Sequence, residues 1–235
     1  VGIVYEPEFI QGFRLIVDYY SIEIDGAIDA LSAERVAEAC VDLGSTANQF
    51  CPLITRAPEG FITFHQSGQV NLGAFEVSGV DFGLEHGFSV GDMGSVRLGL
   101  SGTHLLDFDE FQDPIDSSVV VSRKGEFGSP ELILNANASW NINDLTLGWT
   151  GRFEESQLLN SITNQQVAGN PLFVDPSQTG DSWVHNFNFS YDINESININ
   201  GGVNNAFDQL PYLGSLSRPA GPRGRFGFLA VNYRI

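Results

Sequence analysis

The sequence predicts an all-β chain: an antiparallel segment of transmembrane β-barrel wall with one short loop helix. Three observations carry this. Apolar and polar residues alternate over stretches of about ten residues or more, longer than the five or six of an ordinary strand. Short turns alternate with long loops, the connection pattern of a bacterial barrel. Apolar residues make up 42% of the chain and charged residues 17%, against roughly 25% charged in soluble proteins. Yet no apolar run approaches the roughly 18 residues that a membrane helix needs. One face of each strand can then meet hydrocarbon while the other lines a wet interior. In hydrocarbon only a helix or a closed barrel satisfies the backbone.

Taken in order, residues 1–5 (VGIVY) form a β-rich start that Glu6-Pro7 ends. Because the chain starts on Val, not Met, and already in a strand, it reads as a fragment or a processed piece. Residues 13–28 form a long strand whose parity changes. Phe13, Leu15, Val17 and Tyr19 are apolar on one face; from Tyr20 the apolar set is Tyr20, Ile22, Ile24 and Ile28 on the other. A one-residue slip flips every side chain, so a bulge or a change of environment is expected near Tyr19 and Tyr20. Residues 31–43 are the only helical stretch. Ser32 caps it, Glu34 lies in its first turn, and Leu31, Val36, Ala39, Cys40 and Leu43 make a narrow apolar stripe. It is too short to stand alone. Cys40 and Cys51 sit among polar loop residues with no His or further Cys near, which favours a local disulfide over a metal pair and points to an oxidising compartment.

Strands follow at 61–66 and 69–88, the latter with Val70, Leu72, Ala74, Val80, Phe82 and Leu84 on one face and Asn71, Gly79, Asp81 and Glu85 on the other. After a turn at 89–94, Val96, Leu98 and Leu100 oppose Ser95, Arg97, Ser101 and Thr103. A long acidic loop leads to strands at 132–141 and 145–154, joined tightly at 141–144. A second long loop leads to strands at 183–194 and 197–207, and a proline-bearing loop precedes the closing strand at 223–235. That makes nine principal strands. The long loops are expected outside the cell and the short turns and C-terminus in the periplasm. Trp140, Tyr191, Ile193 and Tyr233 near the turns would form an aromatic girdle.

The net charge of −18 argues against nucleic acid as a partner, which needs clustered Lys and Arg. Four histidines, 65, 86, 104 and 185, are scattered; His104 and His185 fall on the apolar parity and read as interface residues. The run Asp107, Asp109, Glu110, Asp113, Asp116 lacks EF-hand spacing and reads as a solvated loop, with Ca²⁺ binding left open. Arg97 and Arg152 fall on polar faces, where they could contact an anionic substrate or pair with carboxylates such as Asp81 or Glu154. No Gly-x-Ser-x-Gly nucleophile elbow is expected, nor any cofactor, so the chain reads as a transporter and not an enzyme.

Several segments together resemble the C-terminal part of a TonB-dependent outer-membrane receptor. They are VDYYSIEIDGAID (17–29), the Cys40 and Cys51 pair followed by ITRAPEGFI (54–62), SGVDFGLEH (78–86), GGVNNAFDQLPY (201–212) and the closing strand with Gly224-Arg225-Phe226. The resemblance implies a 22-stranded barrel, plugged by an N-terminal domain that this chain does not carry, which imports a scarce nutrient such as an iron–siderophore, cobalamin or a glycan. It implies outer-membrane lipid and the TonB complex as partners, the latter through the missing N-terminal part. The terminal Ile235 departs from the Phe usual in the family, which weakens the expected assembly signal. Two alternatives stand beside this reading: a porin-like or phospholipase-like outer-membrane barrel, and a secreted acidic β-sandwich that binds glycans.

Overall fold

The computed structural model describes residues 1–30, 32–66, 69–111, 116, 118–159, 178–212 and 218–234, the side chains of 29, 30 and 69–73 excepted. In chain order the strands are β1 (Gly2–Tyr5), β2 (Phe13–Ala30), β3 (Ile54–Arg56), β4 (Ile62–His65), β5 (Gln69–Ser89), β6 (Ser95–Phe111), β7 (Val121–Ser122), β8 (Leu132–Ile142), β9 (Leu145–Glu154), β10 (Ser182–Asn194), β11 (Ile197–Asn204) and β12 (Phe226–Tyr233); helix α1 spans Ala33–Asp42. The main sheet runs β1-β2-β5-β6-β8-β9-β10-β11-β12, with β7 on β6. Its nine-strand path follows chain order, as neighbouring strands joined by turns and loops should. Where β1 and β12 end the path the sheet is open, so the barrel is not closed within this chain.

The chain divides into two compact units, Val1–Tyr20 with Ser78–Leu106 and Lys124–Ile235, and Ser21–Val77 with Asp107–Arg123. In the first unit the strands pair antiparallel, with a register shift in β10 against β11 between Asp192 and Asn194. Arg97 faces Ser139, Ser139 faces Gly148, Gly148 faces Asn188 and Asn188 faces Gly202, so one polar row crosses five strands. The neighbouring row, Leu98, Ala138, Trp149, Phe187 and Val203, is apolar throughout. This is a wall one sheet thick. Among the described residues its apolar side has no second layer to pack on: Trp140, Leu147, Trp183, Phe187, Tyr191 and Leu229 are all more than a third exposed.

The short turns are built from the residues that turns require. Asn143, at φ 48°, lets two residues connect β8 to β9. Asn194 accepts hydrogen bonds from the backbone of Ser196 and Ile197 through Oδ1, both 2.9 Å, an Asx turn that joins β10 to β11. Gly94 has φ 90°, and the Asn141 carbonyl lies where a Cβ would stand, so this position takes only glycine.

The second unit holds a miniature fold. Ser32 Oγ accepts from Arg35 N at 3.2 Å and caps α1. Val36, Ala39, Cys40 and Phe50 form a compact cluster, against which Leu53 and Ile54 pack. The expected stripe is narrower than the sequence suggested: Leu43 is exposed, because the helix ends at Asp42 and Leu43 is its C-cap, and Leu31 lies outside the described residues. Cys40 and Cys51 are joined by a disulfide with Cα atoms 4.7 Å apart. The expected strand at 61–66 is β4, which pairs not with the wall but with β3 in a separate two-stranded sheet.

The parity change in β2 brings no break in the strand, which runs continuously from Phe13 to Ala30 and carries a left-handed glycine, Gly26 at φ 65°, beyond the change. The closing strand is shorter than expected, since Gly224 is left-handed at φ 65° and Arg225 N donates to Asp208 Oδ1 at 2.8 Å, which holds the approach to β12 in a loop. Ile235 lies outside the described residues.

Candidate functional site

The polar face of the wall is the surface on which function can be built, because it carries Arg97 and Arg152 and a set of hydrogen bonds from strand to strand. Asn198 is its hub at the turn end. Its Nδ2 donates to Ser190 Oγ and Asp192 Oδ1, both 2.8 Å, and its Oδ1 accepts from Asn200 at 3.2 Å and Asn232 at 3.3 Å. Further along, Asn186 donates to Thr150 at 3.1 Å and Thr103 donates to Asp81 at 2.6 Å. Short polar side chains thus bond laterally from strand to strand and leave the face wet and smooth.

The two arginines of interest are not brought together. Arg97 lies opposite Ser139, which faces Gly148 on β9, and Arg152 lies four residues further along that strand. Four residues span about 13 Å and two strand spacings about 10 Å, so the Cα atoms are about 17 Å apart. One small anion does not bridge that gap. Arg97, near the turn end, lines a cleft of about 360 Å³ with Glu85, Gly87 and Asn137. Asp81, one of the carboxylates considered for it, is engaged instead by Thr103. Arg152, near the loop end, pairs with Glu154: its Nε and Nη2 both donate to Oε1, at 3.0 and 2.8 Å.

Around Glu154 three loops converge in a cluster that sequence reading did not find. Glu154 and Gln157 are each 1% exposed and Ser182 is fully buried. Gln157 Nε2 donates to Glu154 Oε2 at 3.4 Å, and its Oε1 accepts from Gly128 N at 2.8 Å. Tyr212 is buried here, edge-on to Phe127 with ring centroids 6.0 Å apart. Burial pushes the Tyr212 phenol above its usual range, nearby Ser182 opposes this, and Glu154 reinforces it. Tyr212 Oη and Ser182 Oγ nevertheless make no hydrogen bond of good geometry. The loops come from residues 123–131, 155–181 and 208–222, distant in sequence, so no local pattern signals the cluster. Glu154 holds Arg152 at the edge of this buried knot with its side chain 46% exposed, a cation aimed along the polar face but partly neutralised.

Beyond β11, Asn205 at φ 49° is buried and clamps the chain: its Nδ2 donates to Gln209 O and its Oδ1 accepts from Gln209 N, both 2.8 Å. This gives the segment 203–211 its shape.

His185 lies on the apolar face within an aromatic cluster. It stacks on Trp183 at 5.6 Å, meets Phe207 edge-on at 5.1 Å and accepts from Trp149 Nε1 through Nδ1 at 3.2 Å. His86 stacks on Phe88 at 5.0 Å; His104 is exposed; His65 belongs to β4. In the acidic run, Glu110 pairs with Arg123 at 2.8 Å, and Asp116 accepts from Ser118 N and Oγ, which lowers its carboxyl below the usual range. Asp113 lies outside the described residues. Among the described residues no group of three His, Cys, Asp or Glu is placed to hold a metal. The expectation that no Gly-x-Ser-x-Gly spacing is present is corrected here: Gly87-Phe88-Ser89-Val90-Gly91 has it, but it leads into a 3-10 turn, not an α-helix, and Ser89 Oγ donates to Gly94 O at 3.4 Å. Among the described residues no helix is long and apolar enough to cross a membrane, which leaves strands unaddressed.

The fold is shared with solved receptors. The siderophore receptor PirA from Acinetobacter baumannii superposes with a TM-score of 0.61 at 14% identity. The FrpB iron transporter from Neisseria meningitidis gives 0.61 at 17%, and the ferric enterobactin receptor PfeA from Pseudomonas aeruginosa 0.60 at 14%. Each match covers 99% of this chain and 30% of the other, so the chain spans under a third of their length. No curated protein sequence matches. The family model described as TonB dependent receptor-like, beta-barrel matches residues 1–206, and the chain therefore belongs to the β-barrel family of the TonB-dependent receptors, outer-membrane proteins of transport.

Proposed function

We propose that this chain is the C-terminal portion of a TonB-dependent receptor that carries a scarce nutrient, of the iron–siderophore class, across the outer membrane. The observation that carries the reading is the nine-strand antiparallel path in chain order, with a polar row and an apolar row running side by side from β6 to β11. The polar face lines the lumen and the apolar face meets lipid. The short turns and the end of β12 lie in the periplasm, and the loops around Glu154 and the disulfide-stapled unit lie outside. A preceding segment supplies the remaining strands, the plug and the contact with TonB. Arg152, its charge offset by Glu154, lines the path of the ligand near the loop end, and Arg97 lines it nearer the turn end. The siderophore class is preferred over cobalamin or a glycan because the solved receptors of this shape carry siderophore, iron and enterobactin in their names.

The test is uptake by cells that express the complete receptor. Radiolabelled ferric chelate should accumulate only when TonB is present. Accumulation that survives loss of TonB and follows a concentration gradient would instead make the protein a porin-like pore.

A further inference from the structure

The parity change in β2 sets what the lumen presents above the lipid band. The phenol of Tyr20 lies over Gly79. Gly79 and Asp81 are two apart on β5, and Asp81 bonds Thr103 on the polar face. Tyr20 therefore points to the polar side of the wall, and so do Ile22 and Ile24, which follow it at even spacing, ahead of Gly26, where the backbone turns left-handed at φ 65°. These two isoleucines are 51% and 50% exposed. Ser21, Glu23 and Asp25 point the other way. On β5, Phe75 and Val77 share the parity of Gly79 and are half-buried. The lumen face, polar where the outside is lipid, turns apolar where the outside is water.

Charge adds a second constraint. The unit of residues 21–77 and 107–123 holds thirteen carboxylates against three arginines. Arg35 pairs with Glu38, Arg123 pairs with Glu110, and Arg56 donates to Gly60 O. Asp107 and Asp109 have the lumen parity on β6. The unit as a whole is negative, Asp107 and Asp109 bring two of its carboxylates to this face, and their field falls off within about 8–10 Å at ordinary salt.

We infer that the apolar face of Ile22 and Ile24 is a contact site for the entering ligand, and that the ligand is an uncharged or cationic chelate with an apolar surface. An anionic chelate would meet repulsion here and gain nothing from aliphatic contact. This rests on the chelate-uptake reading above and narrows it by charge class.

The test uses the complete receptor in detergent and two probes, a ferric tris-hydroxamate of zero net charge and a ferric tris-catecholate of net charge −3. At low salt the neutral chelate should bind at least about tenfold more tightly, and the gap should shrink in high salt, where the repulsion is screened. Ile22→Asn with Ile24→Asn should weaken the neutral chelate about tenfold, whereas Glu23→Gln, on the opposite face, should not. Asp109→Asn serves as a second variant should the double change disturb folding, and it should raise affinity for the catecholate alone. Equal or tighter catecholate binding at low salt, or a folded isoleucine variant that binds like the parent, overturns the inference while leaving chelate uptake intact. If a folded receptor binds neither probe, the chelate reading itself fails and the inference goes with it.

Discussion

Single residues set the shape of the loop end. Asn205 adopts a left-handed backbone and closes the chain on Gln209 with two buried hydrogen bonds. Asn205→Ala should cost about 2–3 kcal/mol, about 1 from each bond and some from the backbone; urea unfolding of the complete receptor in detergent measures it. Asn205→Gly keeps the backbone freedom and loses only the bonds, so it should fall between the two. Tyr212 gives a pH signature. Its pKa is raised, so its contribution to stability is whole below the ordinary phenol value of about 10 and is lost as pH rises through the raised one. Tyr212→Phe removes a buried hydroxyl that lacks a good partner. It should leave neutral-pH stability nearly unchanged and make alkaline unfolding less steep, read by melting temperature against pH.

At the scale of elements, the strands of the wall were legible because each carries a two-residue alternation long enough to exclude a helix. The parity change at Tyr20 was legible for the same reason, since it reports the surroundings of one strand and needs no partner. Two things were not legible. Strand β3, of three residues, is too short for alternation to register, so the strand expected at 61–66 had no visible partner. The Glu154 knot joins loops separated by tens of residues, and only the folded chain brings them together. The disulfide belongs between these cases: two cysteines eleven residues apart narrow the choice, and the packing of Cys40 among Val36, Ala39 and Phe50 gives it a place. Cys40→Ser with Cys51→Ser should cost about 2–3 kcal/mol of local stability. Limited proteolysis should then cut within residues 31–66 at lower protease concentration, while the heat-modifiable mobility of the barrel stays as it was.

At the scale of the whole molecule, β1 and β12 end the sheet path with nothing beyond them among the described residues, and the apolar face has no cover of its own. Open edges invite pairing with other chains, and exposed apolar sheet invites association. Residues 1–235 expressed alone should therefore aggregate in plain buffer and stay dispersed only in detergent; a monodisperse, stable monomer in buffer by size-exclusion chromatography would contradict the membrane reading. Strand length differs along the path. β5 has 21 residues and β9 has 10, which correspond to about 70 Å and 33 Å of strand. Tilted by about 40°, β5 reaches a height of about 55 Å, against an apolar band about 25 Å tall. On the proposed orientation its surplus stands clear of the bilayer. On that orientation an antibody added to whole cells would meet the upper ends of β2, β5 and β6, with Ser21, Glu23 and Asp25 on the side turned away from Ile22 and Ile24.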